Sequence, residues 1–333
     1  MPLDGKSSIF PASTRTGPPI RPVVIAHRGA SGYLPEHTLQ AKALAYRMGA
    51  DYLEQDVVAT KDEQLVVLHD IHLDRVTDVA QRYPGRARHD GRYYVCDFLL
   101  EEIRQLQVHD RTNADGSRVY PERPESVGEE FRVHTFSEEL EYIAELQASF
   151  GRPVGVYAEI KSPAWHRQEG IDMTPLFLSA LSEHGYEAHT DPAYVQCFDD
   201  EELRRVREVH NSALKLVQLI GDNRWREAAT DFDELRTPQG LRRLARTVDG
   251  IGPWVNFLYR IDRDQHIEDS GLVAAAHAHG LAVHPFTFRD DDLPPGFGSF
   301  SELMQFAVDE LSVDGLFTDF PDLAVGHRGQ ATT

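Results

Sequence analysis

The chain has 333 residues, 41% of them hydrophobic and 26% charged, with a formal net charge of −20 at pH 7. That composition is ordinary for a globular protein with a large core, and the negative balance argues against non-specific binding to nucleic acid or to anionic lipid surfaces. An anionic ligand would need a local focus of cations to draw it in against the global field, and two cysteines, Cys96 and Cys197, are too few for a disulfide scaffold.

Residues 1–21 lack the apolar segment of about 7–15 residues that a secretory signal contains, and their Ser, Thr, Pro and Gly content reads as a flexible lead-in. A cytoplasmic location is expected for the chain as written, or a periplasmic or secreted one if a signal has been removed. No apolar run approaches the roughly 20 residues needed to span a bilayer, so no integral membrane segment is expected, and no protein partner is implied.

From residue 22 onward, short apolar runs alternate with helix-like segments. The runs are VVIAH (23–27), YLEQDVV (52–58), VGVYAEI (154–160), AYVQCF (193–198), LKLVQLI (214–220), the less regular DGIGPWVNFL (249–258), LAVHPFTF (281–288) and VDGLFTD (313–319). Apolar residues recur at helical spacing over 201–210, 267–280 and 301–311. Strands alternating with helices imply βαβ units and a parallel sheet, and eight of them predict an α/β (β/α)8 TIM barrel over residues 22–326, with a short tail at 327–333. An open doubly wound sheet is the alternative, but the Gly-rich dinucleotide turn it would carry is missing. Residues 78–134, polar and rich in Arg, Pro and Gly, break the rhythm after the second strand and are expected to form an insertion over the barrel mouth.

Polar residues collect at the C-terminal ends of the runs, where a barrel places its active site. The first run ends in His27-Arg28. The second carries Glu54 and Asp56, two apart and therefore on one face of a strand. Glu159 and Lys161 repeat that spacing on the third, and the fourth carries Gln196 and Phe198. Several carboxylates and cations gathered at strand ends are costly to bury without a ligand. Three carboxylates with no cysteine or clustered histidine nearby suit a hard divalent cation, Ca²⁺ or Mg²⁺, and Arg28 and Lys161 supply the positive charge a phosphate would need. His69, after LVVL, adds a second imidazole to His27, giving a paired general acid and base. His37 and His72 are read as surface or supporting residues. His277 and His279 point to different faces of a helix and form no metal cluster with His284, and Cys197 is expected to pack under a helix.

The segments HRGASGYLPEHT, GADYLEQDVVATKDEQLVVLHD, AEIK, VQCF, VHPFTFR and GLFTDFPD together resemble the glycerophosphodiester phosphodiesterase family, closest to its bacterial periplasmic, GlpQ-type branch, from about Arg21 to Val325. The resemblance implies a TIM barrel whose family-specific insertion answers to residues 78–134. It also implies hydrolysis of a small-molecule glycerophosphodiester, such as glycerophosphocholine or glycerophosphoethanolamine, to an alcohol and sn-glycerol 3-phosphate. By the same motifs His27 and His69 take the acid/base positions, Glu54, Asp56 and Glu159 the positions for one divalent cation (Ca²⁺, with Mg²⁺ the alternative), and Arg28 and Lys161 the phosphate positions. Glu36 matches a glutamate that hydrogen-bonds within the site, and Gln196, Phe198 and Phe286 would face the substrate. Many members carry Asn where His37 stands and Trp where Phe286 stands. The rivals are a lysophospholipase D-like enzyme of the same barrel type, which would need an apolar groove at the mouth, and a non-catalytic surface or binding protein reusing the fold. The polar insertion leads us to expect a narrow polar mouth suited to small head groups.

Overall fold

In the computed structural model of the protein, residues 21–126 and 130–330 are described. The apolar runs form parallel strands, because each is flanked by a helix and buried on both faces. The strands are β1 (Val23–Ala26), β2 (Tyr52–Ala59), β3 (Leu65–Val67), β4 (Gly155–Ile160), β5 (Ala193–Cys197), β6 (Lys215–Ile220), β7 (Gly250–Pro253), β8 (Tyr259–Ile261), β9 (Ile267–Asp269), β10 (Ala282–Val283) and β11 (Gly315–Thr318). Hydrogen-bonded neighbours run β10-β7-β6-β5-β4-β2-β1-β11, while β3 pairs antiparallel with β2 and β8 with β9. The circle closes through single bonds: the Asp314 and Phe317 amides donate to the Val283 and Pro285 carbonyls, each at 3.0 Å. Eight parallel strands thus form the TIM barrel expected from the sequence.

Inward-facing residues alternate along each strand. Ile25, Tyr157, Val217 and Phe317 plug the interior, with Tyr157 stacked on Tyr194 at 4.7 Å. Gly155 is required here, since a Cβ at that position would lie 2.2 Å from the Tyr52 ring. One step further toward the C-terminal end the inward residues turn polar. Asp56 on β2 is in register with Glu159 on β4, which is in register with Gln196 on β5.

Four departures from the expected pattern have local causes. The run 281–288 forms a ladder only at Ala282–Val283, because Pro285 has no N–H to donate. The run 249–258 is strand only to Pro253 and then enters a helical turn, Val255–Phe257. The segment 267–280 begins as β9 and becomes helical at Leu272, after Gly271 at φ 82°. The C-terminal helix runs Pro321–Gln330, past the expected boundary at 326, and Arg328 ties it to Asp51 and to the Pro22 carbonyl. The lead-in expected at 1–21 lies, but for Arg21, outside the described residues.

The polar stretch after β3 folds on its own apolar seed. Phe98, Ile103, Leu106, Val108, Phe131 and Val133 pack with Val58, Val66 and Leu73 in a cluster separate from the barrel's. Its Arg and Pro content masked this seed in the sequence. Among the described residues no helix is long and apolar enough to cross a membrane, and Cys96 and Cys197 are free thiols, both buried.

Candidate active site

At the end of β1 the chain leaves the sheet through Arg28 at φ 59° and Gly29 at φ 86°. A Cβ on Gly29 would lie 2.8 Å from the Ala41 carbonyl carbon, so only glycine fits. Arg28 holds a left-handed conformation that costs about 1–3 kcal/mol, and its site contacts offset it. Its amide donates to Glu54 Oε2 at 2.6 Å, its Nη1 donates to Glu36 Oε1 at 2.9 Å, and its Nε lies 3.5 Å from Asp56 Oδ2.

Both candidate acid/base histidines are held the same way. His27 Nδ1 is 2.6 Å from Asp319 Oδ1, and His69 Nδ1 is 2.6 Å from Asp70 Oδ1. A carboxylate on Nδ1 fixes the tautomer and leaves Nε2 as the group that can accept or donate a proton. The insertion then braces both carboxylates. Arg111 Nη1 donates to Asp70 Oδ2 at 2.7 Å and also clamps Glu36, while Arg123 Nη2 donates to Asp319 Oδ2 at 2.7 Å, beside Arg289 Nε at 2.7 Å. Burial and then Arg28 depress the His27 imidazole to about 4, in spite of Asp319. Burial, Arg28 and Lys161 depress His69 to about 3. Both rings are therefore neutral near pH 7.

The carboxylates converge as the register requires. Burial, with Asp56 adding charge, pushes the Glu54 carboxyl up, and burial pushes Glu159 up in spite of Lys161. Asp56 stays ionised against its burial, held by Lys161, His69 and His37. Asp56 Oδ1 is buried without a hydrogen-bond partner, which costs free energy unless a ligand satisfies it. His37, Glu54 and Asp56 offer donor atoms within 4.8 Å of one another. Oxygen donors dominate and one buried oxygen is orphaned, so these residues fit a hard divalent cation. His37 is no surface residue. It is buried, and its Nε2 lies 2.8 Å from Asp56 Oδ2. Glu159 faces Asp56 but spends Oε1 on Lys161 Nζ at 2.9 Å, and Lys161 Nζ is also 3.4 Å from His69 Nε2. Gln196 Nε2 reaches Glu54 Oε1 at 3.4 Å.

All these groups meet in or beside a cavity of about 250 Å³. His27, Arg28, Glu54, Asp56, His69, Glu159, Gln196, Phe198 and Phe286 line it, and Glu36 lines the adjoining recess with Arg111 and Arg123. The structure thus gathers every sequence-nominated residue, with Lys161 behind Glu159. The other histidines stay apart: His72 packs on Tyr94, His277 bonds Asp314, and His284 lies under the barrel floor 2.9 Å from the Tyr157 hydroxyl. Asp70 and Asp319 stand inside the recognised segments but had drawn no role. Arg111, Arg123, Trp225 and Glu227 lie where the sequence has no periodic pattern to mark them, and Trp254 lies in the run 249–258 just past the end of its strand. Trp225, Trp254, Phe198 and Phe286 make one wall of the cavity aromatic, so the mouth is not polar throughout, contrary to the expectation from the sequence.

The model of the glycerophosphoryl diester phosphodiesterase family matches residues 27–323. The chain is 41% identical over 322 residues to the glycerophosphodiester phosphodiesterase of Haemophilus influenzae, covering 91% of this chain and 88% of that protein. To that of Treponema pallidum it is 36% identical over 327 residues, with 92% of each covered. The crystal structure of a Silicibacter pomeroyi DSS-3 protein described under the same family name superposes with a TM-score of 0.68 at 23% identity, covering 95% of both chains. By its motifs, its barrel and these likenesses, the chain belongs to the glycerophosphoryl diester phosphodiesterase family.

Proposed function

We propose that this protein hydrolyses glycerophosphodiesters to an alcohol and sn-glycerol 3-phosphate, with His27 and His69 as the acid/base pair. The observation that carries the reading is the paired arrangement of two Nδ1-anchored imidazoles around one carboxylate cluster, with Arg28 and Lys161 beside it. Arg28 and Lys161 bind the phosphodiester and stabilise charge on its equatorial oxygens. One imidazole, neutral in the free protein, removes a proton from the attacking hydroxyl, water or the glycerol 2-OH. The other takes up a proton from solvent at Nε2 when the anionic phosphodiester is bound beside it, and as imidazolium gives that proton to the leaving alkoxide. Asp319 and Asp70 keep Nε2 of each ring aimed at the cavity and stabilise the imidazolium when it forms.

Glu54, Asp56 and Glu159 would hold one divalent cation, Ca²⁺ or else Mg²⁺, with His37 orienting Asp56. Such an ion supplies Lewis-acid charge to a phosphate oxygen and lowers the pKa of the attacking hydroxyl. The names of relatives at 41% and 36% identity support the substrate class. Glycerol 3-phosphate release from glycerophosphoethanolamine, followed with and without a chelator, tests the reading. Release should stop on chelation and resume with Ca²⁺ or Mg²⁺. Full turnover in excess chelator, with no metal bound, would overturn the cation's role.

A further inference from the structure

The cavity mouth is chemically divided. On one side the recess presents Arg111, Arg123 and Arg289 with the Tyr120 hydroxyl. On the other, the loops after β5, β6, β7 and β10 set Phe198, Trp225, Trp254 and Phe286 edge to face, Trp225 to Trp254 at 5.0 Å and Phe198 to Phe286 at 5.8 Å. Trp225 is 41% exposed, although it is among the largest apolar side chains. It is fixed there by the strand end beneath it, since a Cβ on Gly221 would lie 2.7 Å from the indole. Glu227 lines the same side, half-buried, and its charge also acts on Lys161, whose Nζ lies 5.5 Å from the centre of the Phe198 ring, so the rings open to a further cation are those of Trp225, Trp254 and Phe286.

We infer that this wall is a head-group subsite for a quaternary ammonium, the trimethylammonium of a choline-type alcohol; the inference rests on the phosphodiesterase reading above. Aromatic faces attract a cation within about 6 Å of the ring through their quadrupole, most strongly when the cation sheds water easily. A trimethylammonium does so. A primary ammonium is compact and strongly hydrated and gains less from the same wall. Glu227 supplies the countercharge. The recess on the other side, its guanidiniums ion-paired to Glu36, Asp70, Asp291 and Asp319, is polar and suits the glycerol diol, so the two halves of the substrate sort to opposite sides of the phosphate site.

Two measurements on the whole protein test this. In the first, kcat/KM is compared for glycerophosphocholine, glycerophosphoethanolamine and glycerophosphoglycerol in wild type, Trp225→Ala and Glu227→Gln. The choline ester should lead glycerophosphoglycerol by about tenfold, within the roughly 3–30-fold range of one cation–π contact. Each substitution should lower the choline ester about tenfold more than glycerophosphoglycerol. Three equal substrates, equal losses on all three, or a preference for lysophosphatidylcholine, which would make the wall an acyl-chain site, overturn the proposal. The second measurement needs no catalysis: choline chloride and ethanolamine are titrated against tryptophan fluorescence. Choline should bind about tenfold tighter than ethanolamine and lose that margin in Trp225→Ala. Selective choline binding without hydrolysis of any diester would uphold the subsite and reject the phosphodiesterase reading. Indifference to choline in an active enzyme would do the reverse.

Discussion

Lys42→Met addresses the frame beneath the carboxylates. Lys42 sits on the buried face of the helix Leu39–Arg47, and its side chain and that of Glu139 are both fully buried, 2.5 Å apart. Lys42 also donates to the Glu54 carbonyl, while Gln55 Nε2 (2.9 Å) and His134 Nε2 (2.6 Å) complete the shell around Glu139. Removing one member of a buried pair costs about 3–5 kcal/mol, because the other is left charged in a low dielectric. Gln55 and His134 still hold Glu139 in the variant, so the lower end, about 3 kcal/mol, applies. At roughly 2–4 °C per kcal/mol, Tm should fall by about 6–12 °C at pH 7 by calorimetry. The pH dependence carries a sign. Glu139 is depressed from 4.5 to about 2, by Lys42 and His134 outweighing its burial. Its contribution is therefore present above pH 4.5 and lost as the pH falls from there toward 2. Without Lys42, burial raises the Glu139 carboxyl, which then takes up a proton at mild acidity and relieves the strain. The gap in Tm between wild type and variant should accordingly narrow from pH 7 to pH 4. A Tm within about 2 °C of wild type at pH 7, or a gap independent of pH, would refute the reasoning.

His27→Ala and His69→Ala should each lower kcat by roughly 10²–10⁴-fold, with the double variant less than additive; near-normal kcat in either would reassign the pair. Glu54→Gln should lose cation binding by titration calorimetry and at least about 10²-fold in activity, while its cation-free Tm stays level or rises because one carboxylate leaves a crowded buried site. A lowered Tm with cation binding intact would contradict that. Arg111→Ala, which removes the guanidinium on Asp70, and Arg123→Ala, which leaves Asp319 to Arg289 alone, should lower kcat about 10–10²-fold through misplaced imidazoles. If KM alone changed, with kcat intact, the insertion would not be bracing the histidines.

What the sequence made legible follows from period and spacing. The i, i+2 pairs Glu54/Asp56 and Glu159/Lys161 lie on strands whose register is set by the surrounding apolar residues, so their convergence could be anticipated. The barrel likewise followed from the alternation of runs and helices. Contacts made by irregular chain were not legible. Arg111 and Arg123 reach the site through an insertion whose apolar seed (Phe98, Ile103, Phe131) is scattered among charges. Trp225 and Trp254 stand in loops whose course depends on Gly221 and on the end of β7. His37 sits at φ 60° with its ring on Asp56, an arrangement that no periodicity marks and that only the folded turn after β1 reveals.

Hydrolysis that leaves the phosphate on glycerol is the central claim, and ³¹P NMR of the products from glycerophosphoethanolamine in the presence of Ca²⁺ tests it most directly. A single phosphomonoester resonance coincident with added sn-glycerol 3-phosphate, absent under chelation, is the expected result. A resonance at the position of phosphoethanolamine, or an unchanged diester signal with the metal-loaded protein, would contradict it.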